Sequence, residues 1–443
     1  MILKTFPLGG IHPADSKLSA GKPIEILPVP PVVSILLCQN LGAPSEPVVK
    51  KGDNVKVGQL IAKSSGFVSS NIHSSVSGVV ENIDDVIDVS GYKRKAVIIK
   101  TEGDEWEDSI DRSSTLIKEI SLSSEQIINR ISEFGIVGMG GATFPTHVKL
   151  SPPPGKKCDV LIINGVECEP YLTSDHSLMI EKGEEILVGT SILMKALNTN
   201  KAIIGIEDNK TDAIEHLNSL LSSYKGISIQ PLKAKYPQGG EKQLIDACIK
   251  RQVPSGKLPI EVGAVVDNVG TAYAVYEAVQ KNKPLFERVV TITGDSIKTP
   301  LNLMVRIGTP TSVLIEAAGG LPDDTAKIVS GGPMMGKAVL SGEVPIAKGS
   351  SGVLVLPEEL TERNPVQNCI RCAKCVAVCP MGLSSYLLIS LVQKSMWDEA
   401  ESERIMDCIE CGSCSYTCPA SRPLLDYVRY GKGKVGQIIR ARK

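Results

Sequence analysis

Apolar and polar positions alternate in short bursts over the first part of the chain. Strand-length runs of Val, Ile, Gly, Pro and Ser stand between turn signals such as Lys51-Gly52-Asp53-Asn54, Val57-Gly58-Gln59 and Val76-Ser77-Gly78-Val79-Val80. Short strands with glycine turns predict a small β module. From about Ser123 the pattern becomes helix and strand in turn. Ser124–Phe134 places Ile127, Ile128 and Ile131 at helical spacing. Strands are predicted at Val160–Ile163, Ala202–Ile206, Ile227–Gln230 and Gly263–Val266, with helices at Glu181–Leu197, Lys210–Ser223, Glu241–Arg251 and Asn268–Gln280. Such alternation predicts a parallel sheet whose ligands gather at the carboxyl ends of its strands. Next, Arg288–Ile292 and Leu303–Val305 read as a hairpin, followed by a helix at Ser312–Ala318 and a Gly331-Gly332-Pro333 turn, a small α+β unit. After Pro357 comes a cysteine-rich segment with a helical stretch at Ser384–Met406, then a tail from Pro419 with seven Lys or Arg against one Asp. A charge run of this kind reads as a solvated face.

Composition adds limits. The 443 residues predict about three or four domains, and 42% hydrophobic with 22% charged residues describes ordinary folded protein. A formal charge of −1 excludes a protein that binds nucleic acid over its whole surface. Runs such as Ile203–Ile206 fall far short of the roughly 18 apolar residues a membrane span needs. No export signal is expected at the start of the chain.

The twelve cysteines change the picture, because eight lie between Cys369 and Cys418. They form Cys369-x-x-Cys372-x-x-Cys375-x-x-x-Cys379-Pro380 and Cys408-x-x-Cys411-x-x-Cys414-x-x-x-Cys418-Pro419. This is the bacterial ferredoxin spacing for two [4Fe–4S] clusters, in which the fourth cysteine of each run ligates the other cluster. Cys369, Cys372, Cys375 and Cys418 are thus expected at one cluster, and Cys408, Cys411, Cys414 and Cys379 at the other. Zinc fits evenly spaced triplets poorly, and disulfides do not suit a chain expected to stay in a reducing compartment. Cys38, Cys158, Cys168 and Cys248 stand apart and read as core residues.

Polar or glycine-rich loops fall beside the predicted strands. They are Gly138-Met139-Gly140-Gly141-Ala142-Thr143-Phe144-Pro145-Thr146, Asn164-Gly165-Val166-Glu167-Cys168-Glu169-Pro170, Tyr236-Pro237-Gln238-Gly239-Gly240-Glu241 and Asp267-Asn268-Val269-Gly270-Thr271. Bare backbone N–H groups in the first could approach a phosphate or a flat ring, and the acids and amides of the second suit a ribityl chain or ribose. Each loop alone is equally a structural turn. Together they favour a site, and one-electron clusters in the same chain call for a two-electron partner such as a flavin.

With these motifs in place, the chain resembles the C subunits of Rnf ion-translocating ferredoxin:NAD oxidoreductases over essentially its full length, including Phe6-Pro7-Leu8-Gly9-Gly10-Ile11-His12-Pro13. Its middle is similar to the flavin-bearing NADH-oxidising subunit of respiratory complex I at Gly138–Lys149, Asn164–Pro170, Tyr236–Glu241 and Asp267–Thr271. The stretch Val48–Val80 resembles the barrel-sandwich hybrid of biotinyl and lipoyl carriers, without their lysine at the tip Ser65-Gly66-Phe67. The resemblance implies a multidomain α/β and α+β chain. Its expected units are a barrel-sandwich hybrid (1–115), a Rossmann-like flavin domain (116–285), a β-grasp module (286–350) and a ferredoxin-like module with two [4Fe–4S] clusters (351–443).

It also implies that Gly138, Gly140, Gly141, Lys149, Asn164, Glu167, Tyr236, Gly239, Glu241, Asp267, Asn268 and Thr271 surround a non-covalent FMN, with Phe144 and Glu169 on NAD. Met139, Thr143, Val166, Gly240 and Asp267 depart from the complex I pattern. The implied activity is ferredoxin:NAD+ oxidoreduction. Electrons from ferredoxin, relayed by an iron–sulfur partner protein, would pass through the clusters to FMN and on to NAD. Membrane-embedded partners would move the ions, and this chain would sit on the cytoplasmic face. A soluble NADH-driven reductase, for instance of a corrinoid, and a non-catalytic cluster scaffold are the competing readings.

Overall fold

The structure is a computed structural model and describes residues 3–442. In the first β unit, Val32–Leu36, Lys93–Thr101, Gly78–Ile87 and Asn54–Val55 form one antiparallel sheet, and Glu46–Pro47, Leu60–Lys63 and Ile72–His73 a second. The period-two pattern is plain in Val33, Ile35, Val97 and Ile99, all fully buried.

The predicted parallel sheet is present. Its order is Ile227–Leu232, Ala202–Glu207, Val160–Asn164, Ala264–Asn268, and every pairing is parallel. All but the edge strand Ile227–Leu232 are near-continuous buried runs, because helices cover the sheet. After Ile227–Leu232 the chain crosses back to the other side of the first strand, so the order reverses between Val160–Asn164 and Ala264–Asn268. A crevice forms where strand order reverses. Asn164 and Asn268 are register partners at its mouth.

Helix limits differ from the sequence reading in three places. The helix expected at Glu181–Leu197 is Gly183–Ala196, and an unpredicted helix, Ser174–Glu181, precedes it across a break at Lys182 (φ −125°, ψ 30°). Asn268 is a helix cap that accepts a bond from the Gly270 N–H, not a helical residue. Ser384–Met406 splits into Ser385–Gln393 and Trp397–Ser402, with Ser395 in a left-handed conformation between them.

The third unit is a mixed sheet in the order Ile24–Ile26, Leu301–Arg306, Glu287–Thr293, Gly352–Pro357, Thr325–Ser330, Lys337–Ala338. The expected hairpin pairs in it, antiparallel. Two strands come from elsewhere in the sequence: Ile24–Ile26 lies parallel to Leu301–Arg306, and Gly352–Pro357 fills the centre.

The basic tail is not simply a solvated run. Leu424–Ala441 is one helix, with Leu424, Leu425, Val428 and Val435 buried. Val428 and Val435 pack into a core with Leu388, Val392 and Ile405. Three of the tail's cations are paired: Arg429 and Lys432 with Glu410, Arg442 with Asp398 and Glu401. Lys443 lies outside the described residues. Among the described residues no helix is long and apolar enough to cross a membrane.

Candidate cofactor sites

The glycine-rich loop rests on the mouth of the crevice. Met139 N–H donates to Thr271 Oγ1 at 2.9 Å, and Gly138 N–H to Phe144 O at 2.9 Å, which folds the loop over the start of helix Val269–Gln280. A Cβ on Gly140 would lie 3.4 Å from Asn268 Cβ, an ordinary van der Waals contact, so the loop lies directly against the capping residue. Gly140 and Gly141 face outward, while Phe144 is half-buried.

Below the loop, Asn164 donates to Gly239 O at 2.9 Å, and Asn268 Nδ2 donates to Asp175 Oδ2 at 2.7 Å. Lys149 Nζ donates to Val266 O at 2.7 Å and to Glu241 Oε1 at 3.2 Å. Burial opposes its charge, but Glu241 and Asp267 outweigh that and hold its pKa above the usual lysine value. Asp267 is 3% exposed, and neither carboxylate oxygen has a hydrogen-bond partner. Burial pushes its pKa up to about 6. Buried polar groups are normally paired, so two orphan acceptors beside the loop fit a ligand that brings hydroxyl donors, as the ribityl chain of FMN does.

The two glutamates of the acidic motif part company. Glu167 turns inward: its carboxylate accepts from Asp175 N–H (2.7 Å), His176 N–H (3.2 Å) and Ser174 Oγ (3.3 Å), capping helix Ser174–Glu181. Glu169 instead meets the third unit, accepting from Met334 N–H (3.1 Å) and Met335 N–H (2.9 Å). Burial raises its pKa, against the pull of those two amides. Tyr236 Oη lies 3.3 Å from Glu169 Oε1 and donates to Cys411 O at 2.8 Å. One buried hydroxyl therefore touches both the acidic motif and the second cysteine run. Val166 and Met139, two of the departures from the complex I pattern, are buried in apolar cores.

Some contributors carry no sequence signal. Lys17 Nζ donates to the carbonyls of Glu167, Glu169 and Leu172 at 2.7–2.9 Å. Asp175, pushed up to about 7 by burial and by Glu167, sits under Asn268. Buried Arg288 donates to Lys348 O and lies against Met139 O. A lysine, an aspartate and an arginine are surface residues by default, and no motif flags them.

The cysteine runs fold alike. Arg371 and Glu410 are left-handed at the same offset, as are Ala373 and Gly412, ahead of the short helices Lys374–Ala377 and Ser413–Tyr416. Cys379 leaves its own run and joins Cys408, Cys411 and Cys414 around a small cavity walled by Ile409, Leu388 and Val428. Burial pushes the Cys408 thiol up to about 12 and Cys414 to about 11. Thiols that resist ionising, as burial makes Cys408, Cys411 and Cys414 do, suit a group that supplies its own positive charge, as iron does. Among the described residues, no three His, Cys, Asp or Glu side chains converge where a single ion would sit. Sulfurs spread around a cavity match a cubane better than zinc, whose thiolates lie at roughly 2.3 Å from one point. Burial also raises the Cys375 pKa, and the nearby sulfurs of Cys418 and Cys369 push the same way. Cys369 and Cys372 are exposed, whereas Cys379 and Cys411 are buried.

Comparison with known proteins covers these regions in order. Family models match an RnfC barrel sandwich hybrid domain over residues 4–104, a Nuo51 FMN-binding domain over 131–277, an SLBB domain over 289–338 and a 4Fe-4S dicluster domain over 362–419. The C subunit of the proton-translocating ferredoxin:NAD(+) oxidoreductase complex of Clostridium ljungdahlii is 50% identical over 98% of this chain and 94% of its own length. The Na(+)-translocating counterpart of Acetobacterium woodii is 44% identical over 96% of each. The C subunit of the ion-translocating oxidoreductase complex of Rhodobacter capsulatus is 40% identical over 98% of this chain and 84% of that one. With identity this high across nearly the whole of both chains, the protein belongs to the family of C subunits of ion-translocating ferredoxin:NAD(+) oxidoreductase complexes.

Proposed function

We propose that this chain is the NAD-handling, peripheral member of such a complex, passing electrons between NAD(H), FMN and two [4Fe–4S] clusters. Membrane-embedded partners move the ions, and the chain docks on the cytoplasmic face. The observation that carries the reading is the Tyr236 hydroxyl, which joins the acidic motif to the backbone of Cys411. It sets the Cys408, Cys411, Cys414 and Cys379 cluster next to the flavin crevice. The cluster we assign to Cys369, Cys372, Cys375 and Cys418 has two exposed cysteines, Cys369 and Cys372, which can face a redox partner.

FMN supplies the switch between two-electron and one-electron transfer. The protein's part is to hold and shield. Asp267 at a strand end and Lys149 on the short helix Thr146–Lys149 would hold the flavin, with Asn164, Gly239, Glu241, Asn268 and Thr271 around it. The Gly138–Phe144 loop covers it from water, and Glu169 and Phe144 orient the nicotinamide nucleotide. Glu167 acts indirectly, by fixing helix Ser174–Glu181. No side chain has to move a proton for hydride transfer. We read the parallel sheet as a Rossmann-like flavin domain and the third unit as a β-grasp module that takes Gly352–Pro357 as its central strand. Otherwise the units divide at 115, 285 and 350. Gently purified protein should carry FMN, and NADH should bring up the EPR signals of reduced clusters. Protein that holds iron but no flavin would sink the reading.

A further inference from the structure

The segment Phe6–Pro13 has no part in the scheme so far, yet it touches both cofactor regions. Its early residues run beside the flavin domain: Lys4 bridges Leu232 in parallel, and Lys233 N–H donates to Lys4 O at 2.9 Å. Ile11 and Tyr236 exchange backbone hydrogen bonds, both 2.9 Å. Phe6 is 2% exposed, with Lys235 Nζ 4.0 Å from its ring centroid and 3.1 Å from its carbonyl oxygen. Between these anchors the segment meets the cluster module. Gly10 N–H donates to Val378 O at 2.9 Å, and Leu8 packs by Gly382.

The glycine pair explains the closeness. Gly9 has φ +67°, and a Cβ there would lie 2.6 Å from the carbonyl carbon and oxygen of Cys379 and from Val378 O. Gly10 has φ +91°, and its Cβ would meet Lys235 Cε at 2.4 Å. Backbone cannot yield to such contacts without shifting the cysteine itself. Cys379 is also the crossed member of the cavity next to Tyr236.

We propose that residues 4–11 form a positioning strap that binds the flavin domain to the peptide of Cys379 and so fixes the second cluster against the flavin crevice. The strap touches no reacting atom; it acts through Cys379 and Tyr236. The inference rests on the electron-transfer reading above and deepens it. Two variants test it in the full chain: Gly9→Ala forces a Cβ onto Cys379, and Lys235→Met frees Phe6 with no change near the cysteines.

Amide exchange should speed up at Gly10, Ile11 and Tyr236 in both variants. Iron content, flavin content and NADH-driven reduction of a dye that takes electrons at the flavin should stay at the parent level. Freeze-quenched EPR should show reduction of the second cluster by NADH slowed several-fold, although dithionite still reduces it fully. Unchanged exchange, or looser exchange with NADH reducing the cluster at the parent rate, overturns the strap. Should Gly9→Ala lose iron, Lys235→Met decides alone. A parent protein without flavin, or whose clusters NADH never reduces, would instead defeat the underlying reading.

Discussion

Asp267→Asn should make the flavin-free protein more stable and its grip on flavin weaker, and pH should separate the two effects. The folded carboxyl titrates near 6 because burial disfavours its charge, whereas an unfolded aspartate titrates near 3.9. Between these values the unfolded chain gives up its proton first, so stability falls as pH rises, and the loss is complete above about 6. At about 1.4 kcal/mol for each pH unit between the two values, the full loss is roughly 3 kcal/mol. Asparagine removes it. The gain is an upper bound, since Lys149 loses one of its two acidic neighbours. Calorimetry of deflavinated protein should show the variant melting higher near pH 8, with the advantage shrinking towards pH 4. Flavin binding should move the other way. The two orphan oxygens of Asp267 are free acceptors, and a hydrogen bond to a charged group contributes about 1.5–3 kcal/mol. Fluorescence titration should therefore show FMN affinity lowered by roughly ten- to a hundredfold. A variant that melts lower at pH 8, or that binds FMN as tightly as its parent, refutes the argument.

Cys418→Ala should abolish the EPR signal of the cluster held by Cys369, Cys372 and Cys375 and spare the other; loss of the second cluster instead would overturn the crossed ligation. Lys283 sits between Glu277 (2.5 Å) and Glu287 (2.6 Å), all three nearly buried. Lys283→Met leaves Glu277 uncompensated, while Glu287 keeps Arg306 at 3.1 Å, and should cost about 3–5 kcal/mol in denaturant unfolding, part of which Glu277→Gln should restore. Lys348 is 1% exposed and meets only oxygens of Ser70, Asn71 and Gly135. Burial brings its pKa down to about 7. The unfolded chain then holds the extra proton between about pH 7 and pH 10, so stability should rise over that window. Melting curves of Lys348→Met should lack the rise.

Some of this was legible in the sequence for physical reasons. A cubane fixes the reach of its thiolates, so the doubled cysteine spacing had few other meanings. Most strands of the parallel sheet are buried on both faces and stood out as apolar runs such as Val160–Ile163. What stayed hidden depends on distant pairing. Ile24–Ile26 has no period that ties it to Leu301–Arg306, and Gly352–Pro357 lies next to the cysteine runs in sequence but between strands in space. The tail misled because its charges are denser than its apolar stripe. The stripe was nevertheless there, in the spacing of Leu424, Leu425, Val428 and Val435.

At the site, residue type was a good guide to place and a poor one to role. Glu167 and Glu169 look alike in the sequence. One neutralises the start of a helix, and the other reaches the amides of Met334 and Met335 from a different unit. Asp267 could not be told from a capping residue until its oxygens proved to lack donors while Asn268 did the capping. Tyr236 shows the limit best. Its loop marked it for the flavin side, but its hydroxyl donates to Cys411, 175 residues away along the chain. No pattern within either loop encodes that bond, because it exists only once the cluster module has docked. The same docking places Cys379 under Gly9. The cofactor motifs thus identify what is bound, while the route between cofactors is set by contacts among units, where glycines and buried hydroxyls matter more than ligating residues.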